Sequence, residues 1–267
     1  EVANDVAPRA GDEPVGSGPM VVLGPSLGTS TVLWSTVLPL LADHFTLLAW
    51  DLPGHGRSPA PTGPFSVADL ADAVARGIEK RTDRPVRYAG VSLGGATGLQ
   101  LALRHPEFVD RLGVLASGAR LGTPASWAER IETVRGQSTS ALVSASAQRW
   151  FAAGTPRRRP ELTGTLLHAL QDASDDGYIR CCEALAGYDV RDRLGDIDVP
   201  TLVVWGAEDT VAPEEKAAEL AAGIPRVRVE RVDEAAHLPP AEQPEIVARL
   251  LREFFDPRPT RPEEATS

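Results

Sequence analysis

Cysteine is nearly absent from this 267-residue chain: Cys181 and Cys182 are the only two, and they are adjacent. Neighbouring cysteines are poorly placed to bridge one another, and one pair makes no disulfide framework. Reduced thiols in a cytoplasmic protein are therefore expected. A zinc site would need a second pair of ligands, so the two read as small residues on a helix. Long apolar runs are missing as well. The longest, such as TLLAW and TLVVWG, are strand-length and far too short to span a bilayer. No basic stretch followed by an apolar one opens the sequence, so no signal peptide is expected. Positive charge is in deficit: 27 Lys and Arg against 37 Asp and Glu leave a net charge of −10. A negative field of that size repels nucleic acid and anionic membranes, and neither is an expected partner. Histidine is scarce too, five in all, which shortens the search for a catalytic base.

What is present is an alternation of strand-like and helix-like segments. MVVLG, FTLLAWD, PVRYAGV, RLGVLAS, VPTLVVWG and RVRVERV read as strands. Thr29 to Ala42 reads as a helix that Pro39 kinks. Ser66 caps the next helix, with Asp69 in capping-box position and Val67, Leu70, Val74 and Ile78 on one apolar face. A final amphipathic helix runs from Ala241 to Phe255. Glu1 to Pro19 holds at most a weak edge strand. The rhythm breaks between residues 120 and 192, which read as several short helices without a strand. The pattern predicts an α/β fold: a doubly wound, mostly parallel sheet with a helical cap inserted between two strands. Residues 1–119 and 193–256 would form the core, 120–192 the cap, and the Pro-rich, charged stretch 257–267 a disordered tail.

In such sheets ligands sit outside the carboxyl ends of the strands, so the residues that follow each strand carry the chemistry. Ser92 follows VRYAGV inside GVSLGG and precedes a helix, the strand–turn–helix setting of a nucleophile elbow. Gly90 and Gly94 suit a turn so tight that a Cβ would strike neighbouring backbone. A serine hydroxyl needs a base. His44, His55, His105 and His168 lie in helix ends, a Gly-rich loop and the cap. His237 alone lies just past the last strand, at the correct end of the sheet. The base in turn needs an acid to hold its tautomer, and Glu208, Asp209 and Asp233 are the candidates. Two backbone N–H groups should hold the oxyanion. Leu93, after the nucleophile, supplies one, and Leu27 in GPSLGTS, framed by Ser26 and Gly28, supplies the other.

GPSLGTSTVLW, AWDLPGHGRSP and GVSLGGATGLQLALRHPEFVDRLGVL together resemble the 3-oxoadipate enol-lactonases of the α/β-hydrolase superfamily. Two cap stretches, ARLGTPASWAERIETVRGQ and DGYIRCCEALAGYDVRDRLGDIDVPTLVVWGAEDTVAP, are similar to the corresponding parts of those enzymes, double cysteine included. The likeness runs from about Met20 to Phe255. It departs in the N-terminal segment, which is short of strand formers, and in the tail; many hydrolases of this type carry His-Gly in the loop after the first strand, and this chain does not. The chain order Ser, Asp, His of this superfamily favours Asp209 as the acid. The resemblance implies hydrolysis of an anionic lactone in the β-ketoadipate pathway of aromatic degradation, with no metal and no cofactor. A substrate carboxylate calls for an arginine fork. Arg130 and Arg135 in the cap are the expected anchors, and Trp34, Trp127 and Trp150 could wall the pocket. Some bacteria fuse this lactonase to a 4-carboxymuconolactone decarboxylase, and the tail fits the stump of such a linker. A general carboxylesterase, a C–C bond hydrolase, a cofactor-free perhydrolase and a non-catalytic receptor are the competing readings on the same scaffold.

Overall fold

A computed structural model describes residues 14–256. Six strands form one sheet in the order β2-β1-β3-β4-β5-β6, every neighbouring pair parallel. They are β1 (Met20–Gly24), β2 (Thr46–Ala49), β3 (Val86–Val91), β4 (Val109–Leu115), β5 (Thr201–Gly206) and β6 (Val227–Val232). Apart from Arg87, Asp110 and Arg111 near the starts of β3 and β4, the central four are largely apolar and buried, as strands covered by helices on both sides must be. Because all six run the same way, the loops after β3, β5 and β6 reach the same edge of the sheet.

The longer helices are α1 (Val67–Glu79), α2 (Leu93–Arg104), α3 (Pro124–Gln137), α4 (Val143–Trp150), α5 (Pro160–Asp172), α6 (Asp175–Ala186), α7 (Glu214–Gly223) and α8 (Pro244–Phe255). Helices α3 to α6 lie between β4 and β5, and no strand interrupts them among the described residues. Cys181 and Cys182 are free and buried on α6. The face of α1 carrying Val67, Leu70, Val74 and Ile78 is buried, each side chain contributing about 1.5–3 kcal/mol relative to exposure. None of the described helices is long and apolar enough to cross a membrane.

Three readings of the sequence need correction or fall outside the described residues. Thr29–Ala42 is not one helix: a 3-10 turn at Thr31–Trp34 and a four-residue turn at Leu38–Leu41 replace it. Pro39 sits in the first turn of the latter, where its missing N–H costs nothing, and so the two turns cannot fuse. The last helix begins at Pro244 rather than Ala241, because Gln243, at φ −134° and ψ 60°, leaves the helical conformation and separates it from a turn at Pro239–Glu242. The expected weak edge strand near the start is a single antiparallel bridge, Val15 to Leu47, and residues 1–13 and 257–267, including the tail, lie outside the described residues.

The Ser66 box forms as expected: its Oγ accepts from Asp69 N, and Asp69 Oδ2 accepts from Ser66 N at 2.8 Å. Replacing Ser66 with Ala should lower the unfolding free energy by about 1 kcal/mol. Urea unfolding checks this, and activity far away at the sheet edge should not change.

Candidate active site

Ser92 stands between β3 and α2 with φ 54° and ψ −112°, a conformation that side chains avoid. Strain of this kind costs about 1–3 kcal/mol and persists only where the surroundings enforce it. They do so here. Ser92 N donates to Leu115 O at 2.9 Å, and Ser117 Oγ donates to Ser92 O at 2.7 Å. A Cβ on Gly90 would overlap the Gly94 carbonyl, and one on Gly94 would lie 2.6 Å from the Gly24 carbonyl carbon. The Ser92 side chain makes no capping bond to α2 and lines a pocket.

The loops after β5 and β6 meet beside it. His237 Nδ1 and Asp209 Oδ2 are 2.9 Å apart, with both side chains almost wholly buried. Asp209 Oδ1 accepts from Val211 N at 2.7 Å and Ala212 N at 3.0 Å. Burial alone would raise the Asp209 carboxyl, but His237 and these two donors outweigh it and hold it below the ordinary carboxylate range. An ionised Asp209 keeps the proton on Nδ1 and leaves Nε2 as the acceptor nitrogen of a residue that lines the pocket. The other acid candidates are engaged elsewhere. Asp233 is exposed and pairs with Arg231 at 2.7 Å, and Glu208 accepts from Ala153 N at 3.1 Å.

The loop after β1 completes the edge. Gly94 N donates to Pro25 O, Thr29 N to Ser26 O and Gly28 N to His55 Nε2. Among the described residues, the N–H groups of Leu27 and Leu93 have no such acceptor. Leu93 opens α2, where a first-turn N–H has no intrahelical partner. Leu27 is buried and lines the same pocket as Ser92, and buried Leu93 follows Ser92 in the chain, so both N–H groups are candidates for an oxyanion hole.

A cavity of about 200 Å³ opens above Ser92 and His237. Ser26, Leu27, Trp127, Arg130 and Trp150 line it, as the sequence led one to expect. Two expected residues do not. Trp34 is fully buried elsewhere, its Nε1 donating to Gly24 O at 3.2 Å. Arg135 points to solvent and pairs with Glu132 at 2.7 Å. In its place stands Arg149, adjacent to Trp150 in sequence and on the cavity wall. Arg130 lies 5.5 Å over the Trp127 ring, and its Nη1 donates weakly to Tyr178 Oη at 3.4 Å. Neither Arg130 nor Arg149 pairs with a described carboxylate. Burial, followed by repulsion from Arg130, pushes the Arg149 guanidinium below its ordinary value. Among the described residues, no three His, Cys, Asp or Glu side chains gather as metal ligands would.

The α/β hydrolase fold family matches residues 19–244, most of the chain. The chain belongs to the α/β hydrolases. Within the family it is 34% identical over 227 residues, 85% of each chain, to 3-oxoadipate enol-lactonase 2 of Acinetobacter baylyi. It superposes on the enol-lactonase from Burkholderia xenovorans LB400 with a TM-score of 0.87 at 31% identity, covering 92% of this chain and 95% of that one. A thermophilic esterase from Thermogutta terrifontis, solved with malate bound, is also similar: TM-score 0.87 at 26% identity, covering 92% and 93%.

A further residue of this α/β hydrolase escaped the sequence reading. His55 is buried between two backbones: Nδ1 donates to Pro53 O at 3.0 Å, and Nε2 accepts from Gly28 N at 3.2 Å. Those partners demand the neutral ring, and burial pushes its pKa down to about 4. His55 thereby holds the turn that presents Leu27, and Gly28 needs its φ of +79° to make that turn. In sequence it was one histidine in a glycine-rich loop. The signal that could have found it is its place after β2, at the same sheet edge.

The unfolded chain takes up a proton on His55 near pH 6.5, which the fold resists down to about 4. The stability that neutral His55 confers is therefore complete above pH 6.5 and drains away as pH falls toward 4. Urea unfolding across that range should show a loss for the wild type that is shallower in His55→Leu.

Proposed function

We propose that this α/β hydrolase opens 3-oxoadipate enol-lactone to 3-oxoadipate, a step of the β-ketoadipate pathway. The observation that carries the reading is the pair of unneutralised arginines, Arg130 and Arg149, facing the same cavity as Ser92 in a chain of net charge −10. Two cations placed side by side repel each other, and a carboxylate between them would relieve that cost, the local positive field offsetting the repulsion of an acidic chain. The likeness to enol-lactonases supports the choice of anion.

In this reading Ser92 Oγ attacks the lactone carbonyl as His237 Nε2 takes its proton, and Asp209 steadies the imidazolium that results. The Leu27 and Leu93 N–H groups take the negative oxygen. Collapse breaks the ring C–O bond. The departing enolate takes a proton from His237 and tautomerises to the ketone. It remains part of the acyl chain, so nothing is released at this stage. Water, deprotonated by His237, then attacks the acyl-Ser92 ester and frees the second carboxylate. The indole faces of Trp127 and Trp150 supply an apolar wall for the ring. A second reading, a carboxylesterase of broader range, is favoured by the likeness to the Thermogutta terrifontis esterase.

Loss of enol-lactone ultraviolet absorbance, measured beside hydrolysis of a neutral nitrophenyl ester, separates the two. The lactonase reading expects kcat/KM for the lactone of about 10⁴ M⁻¹s⁻¹ or more. Turnover of the ester alone would overturn it. Ser92→Ala should remove turnover of both by about 10⁴-fold or more with the fold intact. Arg130→Ala and Arg149→Ala should each raise KM for the lactone by about tenfold or more, while KM for the neutral ester stays nearly constant. Equal effects on both substrates would remove the arginines from carboxylate binding.

A further inference from the structure

Glu242 is a buried carboxylate that the chemistry above does not use. It is 1% exposed, it lies in the turn Pro239–Glu242, and among the described residues no basic side chain pairs with it. Burying a lone carboxylate costs several kcal/mol unless its oxygens are hydrogen-bonded. Both are. Oε1 accepts from Ala236 N at 2.7 Å and Leu238 N at 3.3 Å, the two residues that flank His237. Oε2 accepts from Ala152 N at 2.6 Å and Thr155 Oγ1 at 2.8 Å, on the segment just after Trp150. Three of the four partners are backbone N–H groups, which can only donate. Burial pushes the Glu242 carboxyl up from its ordinary value, against the pull of these donors.

The same short segment is held from two further points. Ala153 N donates to Glu208 Oε2, next to Asp209, and Arg158 donates to Glu234 O at 3.3 Å, just before His237. Residues 152–158 are thus fastened to the loops that carry both the acid and the base. Arg149 and Trp150, which wall the cavity, come immediately before that segment.

We infer that Glu242 is a positioning residue: one oxygen fixes the loop that holds His237 and the other fixes the pocket wall that holds Arg149, so base and substrate anchor are set against each other through a single carboxylate. The inference rests on reading His237 as the base. It does not depend on which ester or lactone is the natural substrate. A carboxylate is required because an amide offers only one acceptor oxygen, and its NH₂ would face donors on whichever side it lay. Losing either side displaces a group by a fraction of an ångström to an ångström, an error that costs up to about a hundredfold in rate.

The two sides can be cut separately. Glu242→Gln disturbs both, and kcat for the neutral ester and the lactone should fall together by about tenfold to a hundredfold. Thr155→Val removes only the wall-side hydroxyl. It should leave kcat within about twofold and raise KM for the lactone about fivefold, the loss of one ordinary hydrogen bond. A third readout needs no turnover. The His237 Nδ1 proton, shielded from solvent and bonded to Asp209, should give a downfield NMR resonance in the wild type and in Thr155→Val. It should broaden or vanish in Glu242→Gln at unchanged circular dichroism. An unperturbed resonance and unchanged kcat in Glu242→Gln would overturn the inference, as would a Thr155→Val variant that loses kcat rather than KM. If the wild type hydrolysed neither substrate, the reading of the triad would fail, while the placement of His237 by Glu242 would still stand or fall on the resonance.

Discussion

Everything at the sheet edge depends on how closely two backbones approach. The turn after β3 and the loop after β1 touch main chain to main chain, with Gly94 against the carbonyls of Gly24 and Pro25. No side chain fits between them. That contact fixes the turn around Ser92 against the loop that carries Leu27 and, in the proposed reading, presets the N–H groups of Leu93 and Leu27, two donors from segments far apart in sequence. A preorganised oxyanion site costs no rearrangement at the moment of reaction, which is why such donors are worth more than flexible ones. His55 extends the same logic one step outward: a neutral ring wedged between Pro53 and Gly28 keeps the β1 loop from relaxing. The parallel sheet contributes direction. It sends the loops of Ser92, Asp209 and His237 to one edge, and the short turn around Glu242 ties that edge to the helices above it.

Electrostatics then divides the labour. The chain as a whole is strongly acidic, yet the cavity presents Arg130 and Arg149 without acidic partners. Most other arginines sit on the surface in ion pairs with neighbouring carboxylates, as Arg135 does with Glu132. Exposed pairs of that kind contribute little to stability. A pair of bare, partly buried cations is different in kind, because it stores repulsion that a bound anion releases. His237, the proposed base, has the opposite arrangement, with the Asp209 carboxylate buried against it where it lines the cavity.

Much of this was legible in the sequence, for reasons that follow from its topology. Ser92, Asp209 and His237 could be placed at one edge because each lies on the segment that follows a strand of a parallel sheet, and Gly90 and Gly94 because a tight turn excludes a Cβ. The Ser66–Asp69 box is a local pattern and formed as such. What escaped depends on helix phase or long-range contact. Arg130 and Arg135 stand five residues apart, about 140° around a helix, so only one of them can face the cavity. Trp34 looked like a pocket wall, but its indole N–H is drawn inward to Gly24 O. Arg149, His55 and Glu242 are harder to read, since each acts through a distant contact: His55 with Gly28, 27 residues away, Glu242 with Ala152, 90 residues away, and Arg149 through the cavity it shares with Arg130. The helix expected over Thr29–Ala42 failed at Pro39, where the sequence did carry the warning but not its consequence.

The central claim is that Ser92 takes the whole lactone as an acyl group at a site preset by the glycine contact. Rapid acid quenching of the wild type with 3-oxoadipate enol-lactone, followed by peptide mass analysis, tests it most directly. The account predicts a transient adduct on the peptide containing Ser92 equal to the full mass of the lactone, because the leaving enolate stays within the acyl chain. Rapid turnover with no adduct on Ser92 at any quench time, or an adduct on another residue, would contradict it.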